Sequence, residues 1–394
     1  MTSPVDTSVK FFSSLMANSP VLNGVAGSLI ALLDAVLVNG FGLKSADSLV
    51  VSGGVATISV STGHSAVVDS VISVANATPS DLNGEQRVIA VTGNTVSFAT
   101  SVSNQTATGA ITFKIAAAGW TKAFSGTNLA AYKSPDLTAT GSYLRVDDTN
   151  ARFAKVVGYE TMTDINTGSG AFPTTVQMAT GLWWSKSQSA DTVARPWFVL
   201  ADTRTFYTLR ASASSSYPTS FEANFFGDIA SYKAGDAYHC TLQGATSDNS
   251  GSYSSADHLA NFAASGTTGI YMARSYSTLG SAIAITKSCP TITGSTGFYS
   301  GDGSASGFSY PNPVDGGLFT APVYLSEPSS SYALRGTMRG FLGVPQRVPV
   351  GAFANGDMIT AVAGLPNRRF KTFTVGQQLS GGGLYVIDVT GPWA

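Results

Sequence analysis

The sequence predicts a mainly β protein: a small β-sandwich or barrel module and a larger antiparallel β-sandwich, with a short helical N-terminal segment. Three observations carry that expectation. Apolar residues recur with a period of two through most of the chain, which sends alternate side chains to opposite faces of a strand. The joints between these runs are rich in Gly, Pro, Asn and Asp, residues that each supply turn geometry. Only the region before residue 49 shows helical spacing.

In that region Val25, Leu29, Leu32, Leu33 and Val36 repeat along one helical face, and Asn39-Gly40 supplies a C-terminal stop. The small residues Ala26, Gly27, Ala31 and Ala35 allow close approach, so the helix packs either on its own subunit or on a neighbouring copy. Residues 1–48 are therefore expected to form a helical N-terminal anchor.

Residues 49–118 read as the small β module. Its five expected strands are Val55–Val60, Val67–Val74, Arg87–Val91, Thr95–Phe98 and Ala110–Ile115. Gly53-Gly54 opens the set, Pro79 to Gly84 gathers turn residues, and Gly93-Asn94 marks a hairpin between two β runs.

Residues 119–325 form the expected larger sandwich, with runs at Tyr143–Val146, Phe153–Val157, Pro196–Leu200, Thr205–Leu209, Tyr238–Leu242 and Gly269–Met272. Polar loops at Ser212–Ser216, Ser247–Ser255 and Gly294–Ser309 join them and are expected at the surface or at interfaces. Residues 326–394 read as a C-terminal β extension packed on that domain, ending in Leu384–Val389 and then Thr390-Gly-Pro-Trp393, a terminal Trp suited to pinning the chain end into a groove. No repeat of solenoid period appears.

Composition narrows the function. Charged residues make up 11% of the 394 residues against an ordinary ~25%, the difference being taken by small and hydroxyl side chains. With 22 Lys+Arg against 23 Asp+Glu the net charge is -1, which provides no long-range field for nucleic acid or anionic lipid. The most apolar window, Val21–Val38, is broken by Asn23, Gly24, Gly27, Ser28 and Asp34 and is too short a clean run for membrane insertion. The N-terminus has no charged region leading into an apolar core and cleavage site, so assembly in a cytoplasm is expected.

Two cysteines, Cys240 and Cys289, leave one bridge open as a pairing and exclude a four-thiolate zinc site. The three histidines, His64, His239 and His258, lack metal-ligand spacing, so no metal or cofactor site is expected. His239 and Cys240 are adjacent, and on a strand they face opposite ways, which separates a base from a nucleophile. Gly63-His-Ser65 and Gly307-Phe-Ser309 both lack the closing glycine of a hydrolase elbow, and Gly381-Gly-Gly383 leads into a strand rather than a phosphate-binding helix.

Among carboxylates, Asp147-Asp-Thr-Asn150 reads first as an Asx-type turn; a cation site of Asp147, Asp148 and Asn150, or a catalytic role with Asp164 and Asp202, are the sharper readings. The aromatics Trp183, Trp184, Trp197, Phe206, Tyr207, Phe221, Phe225 and Phe226 read as core or interface, with sugar stacking as the alternative. No catalytic residue is expected.

The stretches Gly119-Trp-Thr-Lys-Ala-Phe-Ser-Gly-Thr-Asn128, Tyr143-Leu-Arg-Val-Asp-Asp-Thr149, Gly158-Tyr-Glu-Thr-Met-Thr-Asp164, Phe226 to Tyr238 and Asp388-Val-Thr-Gly-Pro-Trp393 resemble a family of virion structural proteins of tailed bacteriophages and prophages. Gly63-His-Ser65 and Leu82 to Val88 also look like a small β module common in phage tail and fibre proteins. The resemblance implies a structural role in the virion and leaves its station open; the leading expectation is a non-enzymatic tail or tail-tip component, assembled as a ring or trimer of its own copies against other virion proteins. The alternatives are a capsid decoration or head-fibre protein, and an adhesin that binds a host glycan or pilus through the loops Ser247–Ser255 and Gly294–Tyr310, with Tyr299, Phe308 and Tyr310 as the aromatics to test.

Overall fold

The computed structural model describes residues 3–211, 221–247, 269–288, 309–328, 333–346, 348–349, 351–360, 362–375 and 383–394. Among these residues the strands form four antiparallel sheets, and the fold is mainly β as expected. The short helix Ser28–Leu33 runs into a wider π turn, Asp34–Asn39.

A seven-stranded central sheet is ordered Lys10–Ser13, Trp197–Ala201, Thr205–Arg210, Glu222–Asp228, Cys240–Gln243, Ile270–Met272, Ile283–Ala284. Its middle strands are buried at every residue, because it has a sheet on each side. On one face Trp197, Val199, Phe206 and Phe226 share a core with Tyr132, Leu144, Val146, Val156 and Trp184 of a six-stranded outer sheet. On the other, Phe198, Leu200, Tyr207 and Phe225 share a core with Val323, Leu325, Phe341, Phe373 and Tyr385 of the C-terminal sheet. Each large side chain so buried contributes about 1.5–3 kcal/mol.

The expected two-layer sandwich with a C-terminal extension is thus a three-layer stack. The cause lies in runs such as Trp197-Phe-Val-Leu-Ala201, which offer apolar groups to both faces and need cover on both.

The outer sheet is ordered Thr121–Gly126, Leu129–Lys133, Tyr143–Asp147, Phe153–Met162, Gly168–Phe172, with Leu182–Ser185 on the first half of Phe153–Met162. Trp183 and Ala245 exchange two backbone hydrogen bonds of 2.9 Å, stitching this sheet to the end of the central one. A register shift between Lys122 and Phe124 interrupts the opposite edge strand.

The small module is an eight-stranded sheet whose long strand, Gly84–Val91, pairs with Val71–Ala75 through its first half and with Thr95–Ala99 through its second. The register shift between Val88 and Ala90 separates the halves, and Ile58, Ile72, Val88, Val96, Phe98 and Phe113 fill the space inside. Strands Phe41–Ser45 and Ser48–Ser52 belong to this sheet, so it starts before residue 49.

The expected helical anchor differs most. Lys10–Ser13 is a strand on the edge of the central sheet, paired with Trp197–Ala201, and Val25 lies ahead of the helix and is exposed. Leu29, Leu32, Leu33, Val36 and Leu37 are fully buried against the same chain's sheets, so the helix packs on its own subunit.

Candidate functional site

The carboxylates singled out in the sequence are used as fasteners. Asp147 forms the expected Asx turn, its Oδ1 accepting from the Thr149 hydroxyl at 2.7 Å and amide at 3.2 Å. Asp148 turns inward instead: Oδ2 accepts the amides of Leu29 at 2.8 Å and Ile30 at 3.1 Å, and Oδ1 pairs with the buried Lys186 ammonium. Lys186 also donates to the Val25 carbonyl. Burial pushes Asp148 up and Lys186 down, and their mutual attraction offsets part of each shift.

Asp202 binds the amides of Arg204 and Thr205 and pairs with Arg339 at 2.8 Å, while Asp164 holds the exposed turn to Asn166. The carboxylates of Asp147, Asp148, Asp164 and Asp202 are therefore each engaged in a separate local or packing role. Among the described residues no three His, Cys, Asp or Glu side chains lie together as a metal-holding group.

His64 Nε2 lies 2.8 Å from the Thr92 carbonyl on the exposed face of the small module. His239 lies against the Asp236 carbonyl, with Nε2 3.6 Å from Asp228. Cys240 is a free thiol in the core, and burial pushes it well above its ordinary range, so it stays protonated and inert. His258, Cys289, Tyr299 and Phe308 lie outside the described residues; Tyr310 packs on Phe353 at 5.2 Å. The polar loop Ser212–Ser216 also lies outside them, as do Ser247–Ser255 apart from Ser247 and Gly294–Ser309 apart from Ser309.

Of the eight aromatics, Trp184, Trp197, Phe206, Tyr207, Phe221, Phe225 and Phe226 are buried and serve the cores. Trp183 is the exception. It is half-buried on the outward face of the outer sheet, in ring contact with Phe153 at 4.1 Å and with the Lys155 ammonium 2.9 Å above its ring. At the other end of that face Phe124 stacks with Tyr143 at 6.0 Å and 24°, and the Lys133 ammonium lies 4.7 Å over the Tyr143 ring. Arg145 stands between them and donates from Nε to the Ile165 carbonyl. This aromatic and basic face is the candidate site.

The sequence held a signal for it: inward Leu144, Val146, Ala154 and Val156 alternate with Tyr143, Arg145, Asp147, Phe153, Lys155 and Val157. What was hidden is the register that sets Tyr143 opposite both Lys133 and Tyr159, and Lys155 opposite both Asp147 and Trp183. No protein-family model matches this chain, and no curated protein sequence matches it.

Proposed function

We propose that this chain is a non-enzymatic structural component of a tailed-bacteriophage virion, tail or tail-tip associated, assembling as a symmetric oligomer beside other virion proteins. The observation that carries this reading is where the family-like stretches sit. Asp148 of the Tyr143 stretch fastens the helix, and Gly158 of the next lies under the Phe172 ring, where an added Cβ would come within 2.3 Å. Asp228 of the Phe226 stretch takes the Thr140 amide and hydroxyl. Trp393 of the terminal stretch is buried against Tyr207, ring centroids 5.5 Å apart. The residues named in these stretches hold this scaffold together, which suits a protein whose product is a surface.

Low charge fits the same role, since neutral subunit faces lose little to desolvation when brought together. Capsid decoration is the same chemistry at another station. Mass spectrometry of purified particles tests the proposal: the chain is expected in stoichiometric amount, and its absence from particles that contain the other structural proteins would overturn it.

A further inference from the structure

We propose that the outward face of the outer sheet is a binding platform for an acidic saccharide chain. The face presents two aromatic plates, the stacked pair Phe124 and Tyr143 and the Trp183 indole with Phe153 tilted 53° against it. Tyr143 and Asp147 are four residues apart on one strand, and Asp147 is level with Lys155 and Trp183, so the plates stand roughly 13 Å apart along the strand direction. Arg145 lies between them, and each plate has a lysine over a ring. The sequence of groups is plate, cation, plate, along a line long enough for several sugar rings.

A pyranose offers a C–H face that stacks on an aromatic ring and an edge of hydroxyl or carboxylate groups that needs polar partners. Charge selects the acidic kind. Lys133, Arg145 and Lys155 face two carboxylates: Asp147, whose Oδ1 is taken by Thr149, and Asp164 at the rim, whose Oδ1 is taken by the Asn166 amide. A chain of net charge -1 thus gathers a local excess of cations where its rings are accessible. The Lys155 ammonium donates to the Thr180 hydroxyl at 2.8 Å and the Lys133 ammonium to the Tyr143 hydroxyl at 3.3 Å, so a ligand carboxylate has to draw each ammonium from a hydroxyl as well as off its ring for a sugar face to replace it. Nucleic acid shares stackable faces and negative charge, but its affinity rests on many phosphate contacts, and three cations on a negative chain supply few.

A ligand-induced change in tryptophan emission reports this face, because Trp183 is half-buried whereas Trp120, Trp184, Trp197 and Trp393 are buried and add a background that a ligand on the surface does not touch. Purified full-length protein is titrated with a polygalacturonate oligosaccharide, with a neutral glucan of equal length and with single-stranded DNA of equal charge, following tryptophan emission and calorimetric heat. The expected result is saturable binding of the polyuronate with a change in emission, weakened at least tenfold in the Lys133→Gln/Lys155→Gln variant and in Trp183→Ala. Val314→Ser, a change at a remote exposed side chain, is expected to bind as the wild type. Lys133 and Lys155 are half-buried at the surface, so the charge variant keeps the core; matched melting curves check this. The proposal is overturned if polyuronate produces no heat and no emission change, if both folded variants bind it as the wild type does, or if the glucan or DNA binds tighter. Presence or absence in a virion has no bearing on this titration, so the two proposals fail separately.

Discussion

At the scale of single residues, a buried ion is costly to leave without its partner. Asp148 and Lys186 are both fully buried and bound to each other, and they join the N-terminal helix to the outer sheet. Removing one charge strands the other in the interior. Asp148→Asn is therefore expected to destabilise the protein by about 3–5 kcal/mol, and replacing both partners with Leu and Met by much less, as read from denaturant midpoints. Equal losses in the single and double variants would contradict the pairing.

Lys287 gives a pH signature. Burial pushes its ammonium down to about 7, well below the ordinary lysine value of about 10.4. Between these values the unfolded chain binds the proton and the folded chain does not, so stability rises as pH increases from about 7 to about 10. Below about 7 both states are protonated and the contribution levels off. Denaturation series from pH 6.5 to 9.5 are expected to show this rise in the wild type and a smaller one in Lys287→Met; identical slopes would refute the assignment.

At the scale of elements, the closing segment behaves as a latch. Trp393 donates its indole N–H to the Asp388 carbonyl at 2.9 Å, and Arg339 donates to the Trp393 carbonyl at 3.0 Å while pairing with Asp202. Gly340 has a φ of 65° and leaves room for the indole, which an added Cβ would approach to 2.2 Å. Trp393→Ala is expected to cost about 3–5 kcal/mol and Gly340→Ala to be strongly destabilising as well, in thermal or chemical melts. A melting profile unchanged by either substitution would remove the latch.

The pinning role of Trp393 was legible because a large aromatic just past a β run usually packs into a groove. Strands were legible for the same local reason: Tyr143–Val146 and Thr205–Leu209 alternate or run apolar over their own length, and the structure extends each by a residue. Asp148 was not legible, since its partners Leu29 and Ile30 are 119 and 118 residues away and nothing within its own turn distinguishes it from Asp147. Lys10–Ser13 was missed because a four-residue strand shows no periodicity, and only the edge at Trp197–Ala201 makes it one. The aromatic and basic outer face was half legible, its residue types visible and its register hidden.

At the scale of the whole molecule, the three layers and the small module are tied by contacts that cross the chain from end to end. Arg87 of the small module donates to the carbonyls of Asp6, Val9 and Asp69, and Arg369 of the C-terminal sheet pairs with Asp69 at 2.9 Å. The N-terminal segment, the small module and the C-terminal sheet therefore meet at one junction. On the proposed reading this fold occupies a fixed and repeated station in a particle. Imaging of intact virions, with the three-layer stack and small module fitted into density, tests this most directly. A few copies in a ring or trimer at the tail is the predicted result; no density for the fold anywhere in the particle would contradict it.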